Sequence, residues 1–183
     1  MRVAQHSEIA RLQSACHAIC LIYALVADLF TALRALFLFD RIPSYAKSDY
    51  EMLGKRPKWI ATDAALMANL LNWNEDDVYL VRGALFETMV VDEFLKRRAN
   101  VAGHWNINYY RDSNRNEIDL VIDHAGVVDL CEVKSGETFS SDWANTMVRL
   151  SAQFGSDVSR TVIYGGDESQ SRSEFELKSW REF

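Results

Sequence analysis

The sequence holds only two prolines, Pro43 and Pro57, and eight glycines in 183 residues. That scarcity excludes collagen-like and proline-rich architectures, and neither a low-complexity tract nor an internal repeat is present. The cysteines are three, Cys16, Cys20 and Cys131. An odd, irregularly spaced set makes no disulfide framework and implies free thiols in a reducing compartment. No G-x-x-x-x-G-K-[ST] phosphate loop occurs, so ATP hydrolysis by this chain and a nucleotide cofactor are not expected. Positive charge is in short supply: 20 Lys and Arg stand against 26 Asp and Glu, a formal net charge of −6. Proteins that grip many phosphates are usually basic, which counts against broad non-specific DNA binding but leaves room for a local basic face. Long apolar runs are missing too. The apolar stretch from Ala15 to Ala27 is too short to span a bilayer, and Asp28 and Arg34 interrupt its continuation. Glu8 stands where a signal peptide would carry its basic leader, so the expected setting is the cytoplasm, without a membrane segment.

What is present describes a globular chain, with 49% hydrophobic and 25% charged residues. Residues 7–39 read as helix, with a break near Asp28; Leu25, Leu29, Leu33, Leu36 and Phe37 recur at helical spacing. Apolar residues lie nearly all round it, so it needs a partner on more than one side. That partner is the rest of the chain, a second copy in a homodimer, a missing domain, or another protein. Cys16, His17 and Cys20 invite a metal reading, but no second ligand pair with zinc-like spacing follows. Two buried cysteines one helical turn apart are the simpler account. Residues 40–58 read as a polar connector, with Arg41, Lys47, Lys55, Arg56 and Lys58 set against Asp40, Asp49 and Glu51. It is a solvated loop on one reading and a phosphate-contacting segment on the other. The division expected is an apolar helical segment at 1–40, a connector with a short helix at 41–82, and an α/β domain at 83–183.

Thr62 or Asp63 is a plausible helix N-cap, with a short apolar helix from Ala64 to Leu71 and a polar break over Asn72 to Asp77. A second helix runs from Gly83 to Arg98, ended by Lys96, Arg97 and Arg98 as the helix dipole favours. The period then changes from helical to alternating. Trp105 to Tyr110, Ile118 to Asp123 and Val127 to Lys134 read as three strands, with a turn cluster at 112–116 and His124-Ala125-Gly126 joining the last two. Ser141 or Asp142 caps a helix over Trp143 to Phe154. Thr161 to Tyr164 is a strand, and Phe175 to Trp180 a last, edge strand.

The register of the second hairpin fixes where its charges point. With Asp123 facing Gly126, one face holds Ile118, Leu120, Ile122, Val127, Cys131 and Val133 with Asp129, and the other holds Asp119, Val121, Val128, Leu130, Glu132 and Lys134. A slip by one residue would bring Glu132 and Lys134 among Ile118 and Leu120, a poor core. Asp119 then lies opposite Leu130 and diagonal to Glu132, roughly 7–8 Å away at the backbone, a gap that one divalent ion bridges through two carboxylates. Two carboxylates and an ammonium on one face suit metal-assisted phosphodiester hydrolysis: carboxylate oxygens hold Mg²⁺ or Mn²⁺, and Lys134 orients water or offsets developing charge. The competing reading is an ordinary strand pair with a salt bridge. Glu87 sits on a packing face with Val90, Val91 and Phe94. A carboxylate there needs a partner, either the same ion or Lys134, unless it reaches solvent.

The D-x12-E-x-K spacing of Asp119, Glu132 and Lys134, on a helix–three strands–helix–strand order with Glu87 on the first helix, resembles the PD-(D/E)XK nuclease superfamily. The stretches LFLFDRIPSY (36–45), GKRPKWIATDAAL (54–66), GALFETMVVDEFLKR (83–97), YYRDSNRNEIDLVID (109–123) and CEVKSGETF (131–139) are similar to the domain of unknown function at the C-terminus of many prokaryotic AAA+ type ATPases. The resemblance implies a restriction-endonuclease-like α-β-β-β-α-β core with an N-terminal helical extension. It implies Glu87, Asp119 and Glu132 as metal ligands, Asp119, Glu132 and Lys134 as the catalytic set, and DNA as the substrate. Arg111 and Asp112 fall on a further motif of that domain. Lys55, Arg56, Lys58 and Arg111 are the candidate nucleic-acid contacts. Residues 1–33 do not resemble the segment that usually precedes the domain, so the chain reads as a stand-alone or truncated form. The alternative is a non-catalytic regulatory module, binding nucleic acid or protein, that keeps the nuclease-like fold.

Overall fold

The computed structural model describes residues 2–48, 55–101, 105–124 and 126–183. Asp49, Glu51, Gly54 and Ala125, and the side chains of Cys16 and His17, lie outside the described residues. The chain divides into two compact units, Met1–Phe39 and Asp40–Phe183.

The first unit is helix α1, Arg2–Ala35, which runs through Asp28 without the expected break. Asp28 costs little helix propensity, and nothing of the glycine or proline kind interrupts the turn. Phe37, with φ of 57°, follows the helix in the left-handed region, and Leu38 N–H closes onto Leu33 O at 3.0 Å with Phe37 N–H onto Arg34 O, a Schellman ending. The helix is not the buried one expected: Ile19, Leu21, Ile22, Tyr23, Leu25 and Leu29 are all exposed, as is Cys20. No helix among the described residues is long and apolar enough to cross a membrane.

The second unit is mixed α/β. The stretch read as a solvated connector contains strand β1, Phe39–Ile42, and leads into β2, Lys58–Ala61; the two form a small sheet. Ile42 and Ile60 are buried, and Ile42, set between Arg41 and Pro43, is too isolated to make the 40–58 segment read as a strand. Helix α2, Ala64–Leu70, is capped by Asp63, whose carboxylate accepts from Leu66 N. The expected polar break holds a further short helix, α3, Glu75–Leu80, closed by a reciprocal capping box between Asn74 and Asp77. Helix α4 spans Arg82–Asn100.

The main sheet has six strands: β3 (Trp105–Arg111), β4 (Glu117–His124), β5 (Val127–Lys134), β6 (Val158–Tyr164), β7 (Gln170–Ser171) and β8 (Glu176–Ser179). Their order is β3-β4-β5-β6-β8-β7. β3, β4 and β5 are antiparallel neighbours, and β5–β6 and β6–β8 are parallel. The last strand is therefore not the edge, because the two-residue β7 folds back onto it. Between β5 and β6 the expected helix is a short one, α5 (Asn145–Leu150), flanked by 3₁₀ turns at Ser141–Ala144 and Ser151–Gln153.

Each face of the sheet has its own core. Val90, Val91 and Leu95 of α4 pack with Ile107, Leu120, Ile122, Cys131, Val133 and Ile163. Met147 and Leu150 of α5 pack on the other face with Val121, Leu130, Val162 and Leu177.

The hairpin register differs from the expected one. His124 pairs with Val127, and the ladder runs to Leu120 opposite Cys131, a shift of two residues. An even shift keeps every β5 side chain on its expected face, and continued one step it brings Asp119 level with Glu132 rather than diagonal to it. The β4 face assignment fails at one point. Asn108 pairs with Val121 but Tyr110 pairs with Ile118, so β4 carries an extra residue opposite Tyr109. This bulge turns Ile118 into the α5-side core, while Leu120 and Ile122 stay under α4.

Candidate active site

Asp119, Glu132 and Lys134 meet at the bulge. The β4–β5 ladder stops at Leu120, and beyond it the Val133 N–H donates to Asp119 Oδ2 at 2.8 Å. The carboxylate thus takes the place of a strand carbonyl, which fixes the side chain without a rotamer choice of its own. Lys134 Nζ donates to Glu132 Oε2 at 2.7 Å and lies 3.6 Å from Asp119 Oδ2. Glu132 is 5% exposed. Burial, then the Asp119 charge, pushes its carboxyl up to about 8, while Lys134 opposes the shift. The same two causes, burial and the neighbouring Asp119 charge, disfavour the charged form of Glu132. Lys134 loses by burial but gains more from Asp119 and Glu132, so its ammonium stays protonated above the ordinary lysine range.

Glu87 reaches toward this cluster from α4. Burial first, then the Asp119 charge, raises its carboxyl above the ordinary value, and Lys58 works against both. Its ion-pair partner is Lys58 of β2, 3.0 Å away, not Lys134. Lys58 also meets Glu117 Oε1 at 2.5 Å and lies over the Tyr109 ring, 5.2 Å from its centroid. Burial lowers its pKa, but Glu87 and Glu117 outweigh burial and the net shift is upward. Arg111 Nε is 3.9 Å from Glu117 Oε2.

The other candidate contacts divide. Lys55 and Arg111 line one cleft of about 330 Å³ with Tyr45, Tyr110 and Asp112, and Lys55 Nζ donates to Tyr45 O. Arg56 is held through its carbonyl, which accepts from the Tyr109 hydroxyl at 2.5 Å. Asp112 organises the β3–β4 turn: its carboxylate accepts from the Asn114 and Asn116 N–H groups and from Asn116 Nδ2. The bond from the Asn116 side chain leads the causes that hold the Asp112 carboxyl below its ordinary value.

Four carboxylates and two lysines therefore share one region. Sequence reasoning found Asp119, Glu132, Lys134 and Glu87 but missed Glu117 and the role of Lys58. Glu117 had a signal, because it lies two residues before Asp119 in a strand. The Lys58–Glu87 pair spans 29 positions, and no local pattern reports such a contact. Among the described residues, no three His, Cys, Asp or Glu side chains stand close enough together to hold a metal ion.

A family model described as Domain of unknown function (DUF4143) matches residues 82–183. The chain belongs to that family. The matched region of this DUF4143 chain starts with α4 and covers the whole six-stranded sheet, so Glu87, Glu117, Asp119, Glu132 and Lys134 lie inside it while Lys58 lies before it. No curated protein and no solved structure matches the chain.

Proposed function

We propose that this chain is a metal-dependent phosphodiesterase of the PD-(D/E)XK nuclease type, with a restriction-endonuclease-like core and DNA as its substrate. The observation that carries the reading is the contact of Asp119, Glu132 and Lys134 at the β4 bulge. The family resemblance to the C-terminal domain of AAA+ type ATPases points the same way.

The residues fit a divalent cation. Asp119 and Glu132 are hard oxygen donors, the kind that Mg²⁺ and Mn²⁺ select. They stand close enough that one is pushed toward protonation, and a bound cation relieves the same repulsion as the proton it replaces. Asp119 and Glu132 would hold the ion, with Glu87 the further carboxylate within the cluster's field. Such an ion supplies Lewis-acid polarisation of the phosphate and a water of lowered pKa. The chain's own part is positional. Asp119 is locked by Val133 N–H. Lys134 is a fixed cation beside the two carboxylates, where it orients the attacking water and offsets the negative charge that builds on the phosphate.

Calorimetric titration with Mn²⁺ tests the reading. Wild-type protein takes up the ion, and Asp119→Ala loses most of that uptake. Equal heats from both proteins would remove the metal site and with it the nuclease reading.

A specific observation supports the non-catalytic alternative: Lys134 and Lys58 are both engaged by carboxylates in a chain of net charge −6. On that reading the cluster is a structural ion-pair network, and substituting Lys134 destabilises the fold without removing any activity.

A further inference from the structure

One or two carboxylates with waters can hold a hard divalent ion, and each added carboxylate raises affinity; Glu87 feels the Asp119 charge but is not joined to the pair. Asp119 and Glu132 are together, while Glu87 is engaged elsewhere. Its Oε1 accepts from Lys58 Nζ at 3.0 Å. Lys58 is also paired with Glu117 at 2.5 Å and lies over the Tyr109 ring. Tyr109 is itself held, its hydroxyl donating to the Arg56 carbonyl just before β2. The lysine is three-quarters covered, with 26% of its side chain exposed. An ammonium so placed is a cation built into the protein, occupying a carboxylate that a divalent ion would otherwise use.

We infer that Lys58 is an internal cation that competes with the divalent ion for Glu87, so that Lys58 sets the metal affinity of the site. The inference rests on the metal-dependent reading above and deepens it. Lys58 is a positioning residue here: it acts on the site through Glu87 and through its charge. In the metal-free protein it neutralises Glu87 and Glu117, which would otherwise repel each other and Asp119. An ion held by Asp119 and Glu132 would be repelled by the Lys58 charge, and Lys58 would keep Glu87 from adding its carboxylate. Glu117 cannot take over Glu87's place while Lys58 and Arg111 both address it.

The test is Mn²⁺ affinity measured by calorimetry on the full chain, free of any turnover. Lys58→Met raises the affinity about tenfold, since one unit charge beside a divalent ion is removed and Glu87 is released. Lys58→Arg keeps the charge and leaves the affinity at the wild-type value. Glu87→Gln changes the wild-type affinity by less than about twofold, yet abolishes the gain in the Lys58→Met background, because only there does Glu87 ligate. Should Lys58→Met fail to fold, the Glu87→Gln arm still decides: a loss as deep as that of Asp119→Asn means that Glu87 already ligates, and the inference is overturned. An unchanged affinity in folded Lys58→Met overturns it as well, while wild-type Mn²⁺ binding leaves the metal reading standing. No Mn²⁺ uptake by the wild type overturns both.

Discussion

At the scale of the residue, Glu132 carries the clearest pH signature. Its carboxyl titrates near 8 in the folded chain because burial and Asp119 disfavour its charge, against roughly 4.3 for an unperturbed glutamate. Between those values the folded state holds a proton that the unfolded state has lost. Stability of the metal-free protein therefore falls as pH rises from about 4.5 to about 8 and levels off above. Glu87 is shifted the same way and adds to the slope. Urea midpoints across this range should decline for the wild type, and Glu132→Gln should flatten most of that decline. A mutant slope as steep as the wild type's would mean that Glu132 does not hold the proton.

Lys134 tests differently. Lys134→Met leaves two carboxylates, one of them buried, without their cation. Because Glu132 can take up a proton and Lys134 is part-exposed, the loss expected is about 1–3 kcal/mol, the cost of leaving a buried acceptor without its donor. Added Mn²⁺ restores much of it, because the ion supplies the missing charge. Thermal melts with and without Mn²⁺ read this directly.

At the scale of the element, the site depends on how β5 leaves the sheet. Gly165 N–H donates to both Lys134 O and Gly136 O at 3.1 Å. A Cβ on Gly165 would stand 2.6 Å from Ser135 O, so the glycine is required by close approach. Gly165→Ala should shift the segment 134–136 and cost about 1–3 kcal/mol, lowering Mn²⁺ affinity with it. The Asp63 cap at α2 makes a useful contrast. Asp63→Ala removes the bond to Leu66 N and costs about 1 kcal/mol without touching metal affinity.

Elements with strong period were legible in the sequence. The β5 strand was read over Val127–Lys134, as found, because Cys131 and Val133 alternate with Glu132 and Lys134. Helix α4 and the order helix, three strands, helix, strand were also readable. The β4 bulge was not, since an extra residue in a strand leaves no trace in alternation until its partner strand is known. β1 and β2 have four residues each, too short a run for alternation to set a period. β8 was read as an edge because the two residues of β7 are too short to signal at all.

At the scale of the whole molecule, composition and structure pull in different directions. The net charge of −6 repels a polyanion, so any DNA contact has to be local. Lys55 and Arg111 in one cleft are its best candidates. Substituting both with alanine should weaken DNA binding in a salt-dependent way and leave Mn²⁺ binding unchanged. Helix α1 carries a second expectation. Its exposed Leu25 and Leu29, each over half accessible, belong to the apolar stretch whose cover self-association can test. If a second copy covers it, sedimentation of the Leu25→Glu, Leu29→Glu double variant gives a smaller species than the wild type. A monomeric wild type would assign the helix to a different partner.

The central claim is that Asp119, Glu132 and Lys134 form a metal-dependent phosphodiesterase site, and hydrolysis itself tests it most directly. Double- and single-stranded DNA labelled at one end should be incubated with the wild type and with folded Lys134→Ala, in Mg²⁺, in Mn²⁺ and in a chelator. The account predicts cleavage by the wild type that requires the divalent ion and falls at least about a hundredfold in Lys134→Ala. Cleavage that survives the substitution or the chelator would contradict it, as would intact DNA after wild-type protein shown to bind Mn²⁺.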